Sequence, residues 1–171
     1  MVDKKDKELE YLEKLATEFR IALLKCNKNS LIGNLRNFPK DSCGESSLLL
    51  GKYLNDMNQG IFEYTLGEIR NNNNNSYQSH AWLQKENIFV EITADQFPDV
   101  ELPPYVTIDN PWYDKFKILE SKEKDIEKQT KYTKARLLSS YDLIISNIKL
   151  KFVPQPTCLK SHPFQRAKKP L

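Results

Sequence analysis

The sequence predicts an α+β domain, and three observations carry that expectation. Apolar residues recur every three or four positions near the N-terminus, at Leu9, Leu12, Leu15, Phe19, Ala22 and Leu23, the spacing of an amphipathic helix. Two stretches, "IFEYTLGEI" and "HAWLQKENIFVEI", alternate in the manner of half-buried strands. Between helix and strands stands a second helical run, "SSLLLGKYL", opened by capping residues and closed before a glycine.

The first helix is expected from Asp3 to Cys26, and Pro39 rules out its continuation through the connector "NKNSLIGNLRNFP". The second is expected to start near Ser42, where Ser42 and Glu45 fit the S-x-x-E capping box. Its apolar face is Leu49, Leu50, Tyr53, Leu54 and Met57, and Gly60 is the expected stop. A strand follows, with Phe62, Tyr64 and Leu66 alternating against Glu63 and Thr65. The asparagine run from Asn71 to Asn75 reads as a surface loop.

"HAWLQKENIFVEI" reads as a hairpin. A turn at Lys85-Glu86 would set His80 opposite Glu91; a turn at Glu86-Asn87 would make them diagonal neighbours on the same face, because side chains alternate with period two. Either way Ala81, Leu83, Ile88, Val90 and Ile92 form the opposite, apolar face. The prolines of "FPDVELPPYVTIDNPW" predict an irregular crossing segment. The charge run from Lys115 to Lys131 reads as a solvated helix face. "YTKARLLSSYDLIISNIKLKFV" resumes apolar periodicity, helical at first, with a β-branched second half that suits a strand. One domain over residues 1–150, with its core at about 30–110, is expected to be followed by a tail over 151–171 with five basic residues, four prolines and no acid, and weak order.

At 171 residues the chain is long enough to bury a core without disulfide or metal staples. Hydrophobic residues make up 39% and charged ones 29%, and the net charge is +3: the balance of a soluble protein without the concentrated basic excess that nucleic acid selects. No apolar run reaches the length of a membrane span, and the charged start "MVDKKDKELEYLEKL" lacks a signal-peptide core. Cys26, Cys43 and Cys158 are scattered, which argues for reduced thiols in a cytoplasmic setting, with export by a specialised system left open. Cys26 lies on the apolar face of the first helix and reads as core. Two histidines, His80 and His162, and three distant cysteines do not form a metal-ligand pattern, and no cofactor-binding segment is recognisable.

Cys43 differs from the other thiols. The first turn of a helix directs free backbone donors and the positive end of the dipole at its sulfur, the condition that favours a thiolate. His80 is the expected proton carrier, and Glu91 the acid that orients it. The Cys43 backbone N–H would face an oxyanion, with Asn37, six residues upstream, as candidate second donor.

The segments "SCGESSLLLGKYLNDMNQGIFEYTLGE" and "HAWLQKENIFVEIT" resemble the core of transglutaminase-like cysteine enzymes in the papain-like fold. The resemblance spans Ser42 to Thr93. It implies a catalytic cysteine at a helix N-terminus packed on an antiparallel sheet, flanked here by an N-terminal helix and a C-terminal helical segment. Cys43 stands in the nucleophile position, His80 in the base position, and Trp82 completes the H-x-W pattern, where it would line the substrate site. Glu91-Ile92-Thr93 takes the place of the usual Asp-Pro-Thr, a departure that leaves Asp95 as alternative acid. The implied activity is cleavage or transfer of an acyl group at an amide bond through a thioester, as protease, glutamine deamidase or transglutaminase, on a protein or peptide and without a cofactor. An effector or toxin domain, an inactive interaction domain that kept the fold, and a small-molecule acyltransferase are the other outcomes this pattern allows.

Overall fold

A computed structural model describes residues 4–71 and 76–149, and shows an α+β architecture of three α-helices and one antiparallel five-stranded sheet. Helix α1 spans Lys4–Lys25, α2 Cys43–Asp56 and α3 Lys131–Lys149. Strands β1 (Glu63–Asn71), β2 (Ser76–Lys85), β3 (Ile88–Val90), β4 (Val106–Ile108) and β5 (Lys117–Lys122) are arranged in the order β4-β3-β2-β1-β5. None of the helices is long and apolar enough to cross a membrane among the described residues. The predicted asparagine loop falls largely on residues 72–75, and the basic tail of residues 151–171 falls wholly, outside the described residues.

Each face of the sheet has its own core, as period-two alternation requires. Leu83, Val90 and Ile92 join the large cluster under the helices, with Leu12, Leu15 and Phe19 of α1, Leu49, Leu50 and Leu54 of α2, and Leu137, Ile144 and Ile148 of α3. Trp82, one residue from Leu83, turns to the other face and packs with Phe97, Tyr113 and Phe116, while Phe89 leans on the same aromatic cluster. Cys26 is buried in the helical core, where its thiol donates to the Ala22 carbonyl. Burial pushes that thiol's pKa up against a smaller lowering from Asn147.

Several local expectations change. Ser42 precedes α2 as its N-cap residue, but no capping box forms: the Ser42 hydroxyl donates to the Pro39 carbonyl at 3.1 Å. The Glu45 carboxylate instead lies against Gly33, at 3.0 Å from where a β-carbon there would sit. The helix does not run to Gly60. It closes at Met57 with Asn58 in the left-handed conformation (φ 58°), while the Asn58 and Gln59 N–H groups bond back to the Asn55 and Leu54 carbonyls. The hairpin turns at Glu86-Asn87, with Glu86 left-handed, so the register is Leu83↔Val90, Gln84↔Phe89 and Lys85↔Ile88 rather than that of a Lys85-Glu86 turn.

The charge run is no helix face. Its first half is β5, an exposed edge strand beside β1, whose Lys117 pairs with Glu68. Lysine and glutamate along a sheet edge are a familiar way to deter further strand pairing. The β-branched half of the final segment is helical, because α3 continues to Lys149 and buries Ile144 and Ile148 against α1 and α2. Packing on one apolar stripe overrides the β propensity of those isoleucines.

Candidate active site

The site forms where the β2–β3 ladder ends. Pairing between these strands covers Leu83 to Lys85 only, and at Glu91 the chain turns aside, its N–H bonding to the Tyr105 carbonyl. Alongside the stretch of β2 that β3 leaves unpaired, the first turns of α2 take up position. The Ser47 hydroxyl donates to the Ala81 carbonyl at 3.2 Å, tying helix to strand one residue from His80. A half-buried cysteine at the first position of α2 and a histidine of β2 therefore meet although 37 residues separate them.

His80 is fully buried (0% exposed) and lies among Trp82, Phe97, Trp112 and Phe116, with ring centroids 4.9–6.0 Å from its own. Its Nε2 is 2.6 Å from Glu91 Oε2, a close contact although not a linear hydrogen bond. The other Glu91 oxygen accepts from the Thr93 N–H at 2.5 Å and the Thr93 hydroxyl at 2.7 Å, which fixes the carboxylate plane. The Cys43 thiol is within hydrogen-bonding reach of the imidazole. Burial disfavours the imidazolium, but the Glu91 carboxylate and the Cys43 sulfur outweigh it and push the His80 pKa up to about 9.

Gln96 is a partner that sequence reading missed. Its amide nitrogen is 3.2 Å from His80 Nδ1 and donates to the Thr93 carbonyl at 3.0 Å. In the neutral ring Nδ1 accepts from this amide; in the imidazolium both ring nitrogens donate, so this contact differs between the two charge states. Only the proximity of "TADQF" to Glu91 could have suggested it.

The alternative acid is occupied elsewhere. Asp95 forms a bidentate pair with Arg20 of α1, at 2.6 and 3.1 Å, and Arg20 also donates to the Ile92 carbonyl. Asp95 thus anchors the segment that carries Glu91, while Glu91 is the acid that touches His80.

Two expected site residues are placed differently. Asn37 ends a short 3-10 turn, is exposed, and its side chain makes no hydrogen bond to Cys43, His80 or Glu91 among the described residues. Trp82 is 1% exposed inside the aromatic cluster, with its indole N–H buried and without a hydrogen-bond partner among the described residues, so it walls the histidine and offers no surface to a substrate. Both departures have one cause: period and spacing give a residue's face, but not the depth at which neighbours cover it.

Comparison with protein-family models, curated proteins and solved structures finds no match. The chemistry is therefore argued from the chain's own residues.

Proposed function

We propose that the protein is a cysteine-nucleophile enzyme that cleaves or transfers acyl groups at amide bonds, with Cys43 as nucleophile, His80 as proton carrier and Glu91 as the residue that positions and charges His80. The observation that supports this most is the convergence of a helix-terminal thiol, an imidazole and a carboxylate from α2, β2 and the turn after β3. In this reading the reacting form is the Cys43 thiolate beside the His80 imidazolium. The sulfur attacks the carbonyl carbon, a C–S bond forms, and the carbonyl electrons move onto oxygen. On collapse the C–N bond breaks, His80 gives its proton to the leaving nitrogen, and a thioester remains. Water or a second amine, losing its proton to neutral His80, then releases the acyl group. The transglutaminase-like pattern makes a glutamine side chain or a peptide bond the leading substrate.

The test compares wild type with Cys43→Ala on candidate proteins by intact mass. Cleavage, deamidation and crosslinking each leave a distinct mass, and the reading is lost if no substrate distinguishes the two proteins. Complete burial of His80 favours a second reading, in which the His80–Glu91 pair is a structural ion pair in a binding domain. Iodoacetamide separates the two: under the enzyme reading His80→Ala slows alkylation of Cys43 about tenfold or more, whereas a structural pair leaves it near the wild-type rate.

A further inference from the structure

Thr93, which is fully buried, closes a ring of hydrogen bonds around the imidazole. Its N–H and hydroxyl both donate to Glu91 Oε1. Its carbonyl accepts twice from Gln96, from the backbone N–H at 3.1 Å and from the side-chain amide at 3.0 Å. One residue thus sets both the carboxylate and the amide that touch His80.

The direction of these bonds decides what Gln96 can do. A carbonyl only accepts, so the Gln96 atom that faces Thr93 is the amide nitrogen and not its oxygen. The same nitrogen lies 3.2 Å from His80 Nδ1. An amide N–H only donates, so this contact is a hydrogen bond only while Nδ1 carries a lone pair. Across the ring, Nε2 lies 2.6 Å from Glu91 Oε2, and a carboxylate favours a proton there. Glu91 and Gln96 therefore pull the ring in opposite directions. The carboxylate stabilises the imidazolium, whereas the amide loses its acceptor when Nδ1 is protonated. Among the described residues the other charged groups near His80 are Cys43 on α2 and, beyond the Phe97, Trp112 and Phe116 rings, Lys115 with its partner Asp99. The Tyr113 phenol belongs to the ring that packs on Trp82.

This opposition has a use in the reaction proposed above. While the sulfur is free, Cys43 and Glu91 both favour the imidazolium. Once the sulfur is acylated its charge is gone, and release of the acyl group needs a neutral ring. Water or an amine bonds to the carbonyl carbon and loses a proton to Nδ1, and the C–S bond breaks with sulfur leaving as thiolate. We propose that Gln96 is a positioning residue for this second half-reaction: its amide holds Nδ1, opposes a resting proton there, and so raises the share of neutral ring. The bond is given up as the proton arrives. The gain is in population, and a base works best when it titrates near the working pH. The role in turnover rests on the thioester reading; the effect on the titration of the ring does not.

Two variants of the full chain test this. Gln96→Met keeps the length of the side chain and removes the amide; Gln96→Glu sets an acceptor in its place. By NMR the His80 ring should titrate about half to one pH unit higher in Gln96→Met, the worth of one neutral hydrogen bond, and higher still in Gln96→Glu. An unchanged or lower value in either variant overturns the assignment. Turnover of p-nitrophenyl acetate then reads the reaction. In Gln96→Met, release of the acetyl group should shift its pH profile upward by the same interval and fall about two- to fivefold at neutral pH. Iodoacetamide should alkylate Cys43 no more slowly than in wild type. Equal slowing of both reactions at every pH is what a loosened turn produces, and overturns the role. Wild type acetylated no faster than Cys43→Ala sinks the thioester reading and the role in turnover with it, whereas a failed titration sinks Gln96 alone.

Discussion

Charge on His80 is the residue-scale property from which most follows. Because Glu91 and Cys43 raise its pKa to about 9, the imidazolium is the state at neutral pH. A raised folded pKa means that the native state holds the proton more tightly than the unfolded chain. The resulting stabilisation is fully present below the unfolded value of about 6.5 and is lost as pH rises through about 9. Thermal melts from pH 6 to 10 should therefore show a decline across that window in wild type that is absent from His80→Gln. Glu91→Gln keeps the shape but removes the main charge that raises His80, so the ring should titrate at least about one pH unit lower by NMR. Asp95→Asn should leave that titration unchanged, since Asp95 faces Arg20. A fall of equal size in Asp95→Asn would count against Glu91 as the partner. Among the thiols, Cys43 should react with iodoacetamide ahead of Cys26, which is buried and whose pKa is raised.

At the scale of elements, the close approach of β1 to the aromatic cluster gives a sharp test. Gly67 pairs with His80 across the ladder, and a β-carbon there would fall 2.8 Å from the Phe116 β-carbon and 3.0 Å from the Trp82 ring. Gly67→Ala should thus cost about 1–3 kcal/mol by overpacking, measured by urea unfolding, and should slow Cys43 alkylation by displacing the walls of His80. α1, α2, β1 and the hairpin were legible because their apolar periods are clean and nothing contradicts them. The same parity put Glu91 on the face of His80 under both turn placements. β5 was not legible, since its two lysines, Glu120 and Ser121 leave no apolar alternation and it is a strand through pairing with β1 alone. The end of α3 was ambiguous because Ile144, Ile145 and Ile148 suit a strand or a helix until α1 and α2 supply the surface they cover. Gln96 and Arg20 depend on where the chain passes after β3, and no local pattern encodes that path.

On the scale of the whole molecule, α1 acts as a brace for the site. Glu13 accepts from the Tyr105 and Val106 N–H groups at 2.8–3.1 Å, and Arg20 holds Asp95 and the Ile92 carbonyl. Between them they fasten both ends of the stretch from Ile92 to Val106 to one helix. Arg20→Met should leave Cys43 and His80 in place yet loosen the Glu91 turn. Amide exchange over residues 91–97 should rise, and Cys43 alkylation should fall several-fold, while the sheet amides of β1 and β2 stay protected. Unchanged exchange after that substitution would show that the turn holds its shape without α1.

The short β2–β3 ladder sets an order of failure. Cys43 and His80 belong to an α2–β2 unit tied by the Ser47–Ala81 bond, whereas Glu91 is held by the three-rung β2–β3 ladder, by the Tyr105 carbonyl and, through Ile92, by Arg20 of α1. As denaturant is added, the imidazole should lose its counter-charge while strands and helices still give their full circular-dichroism signal. The protein would then pass through a state that keeps its full far-ultraviolet circular-dichroism signal and, under the thioester reading, has lost the reactivity of Cys43.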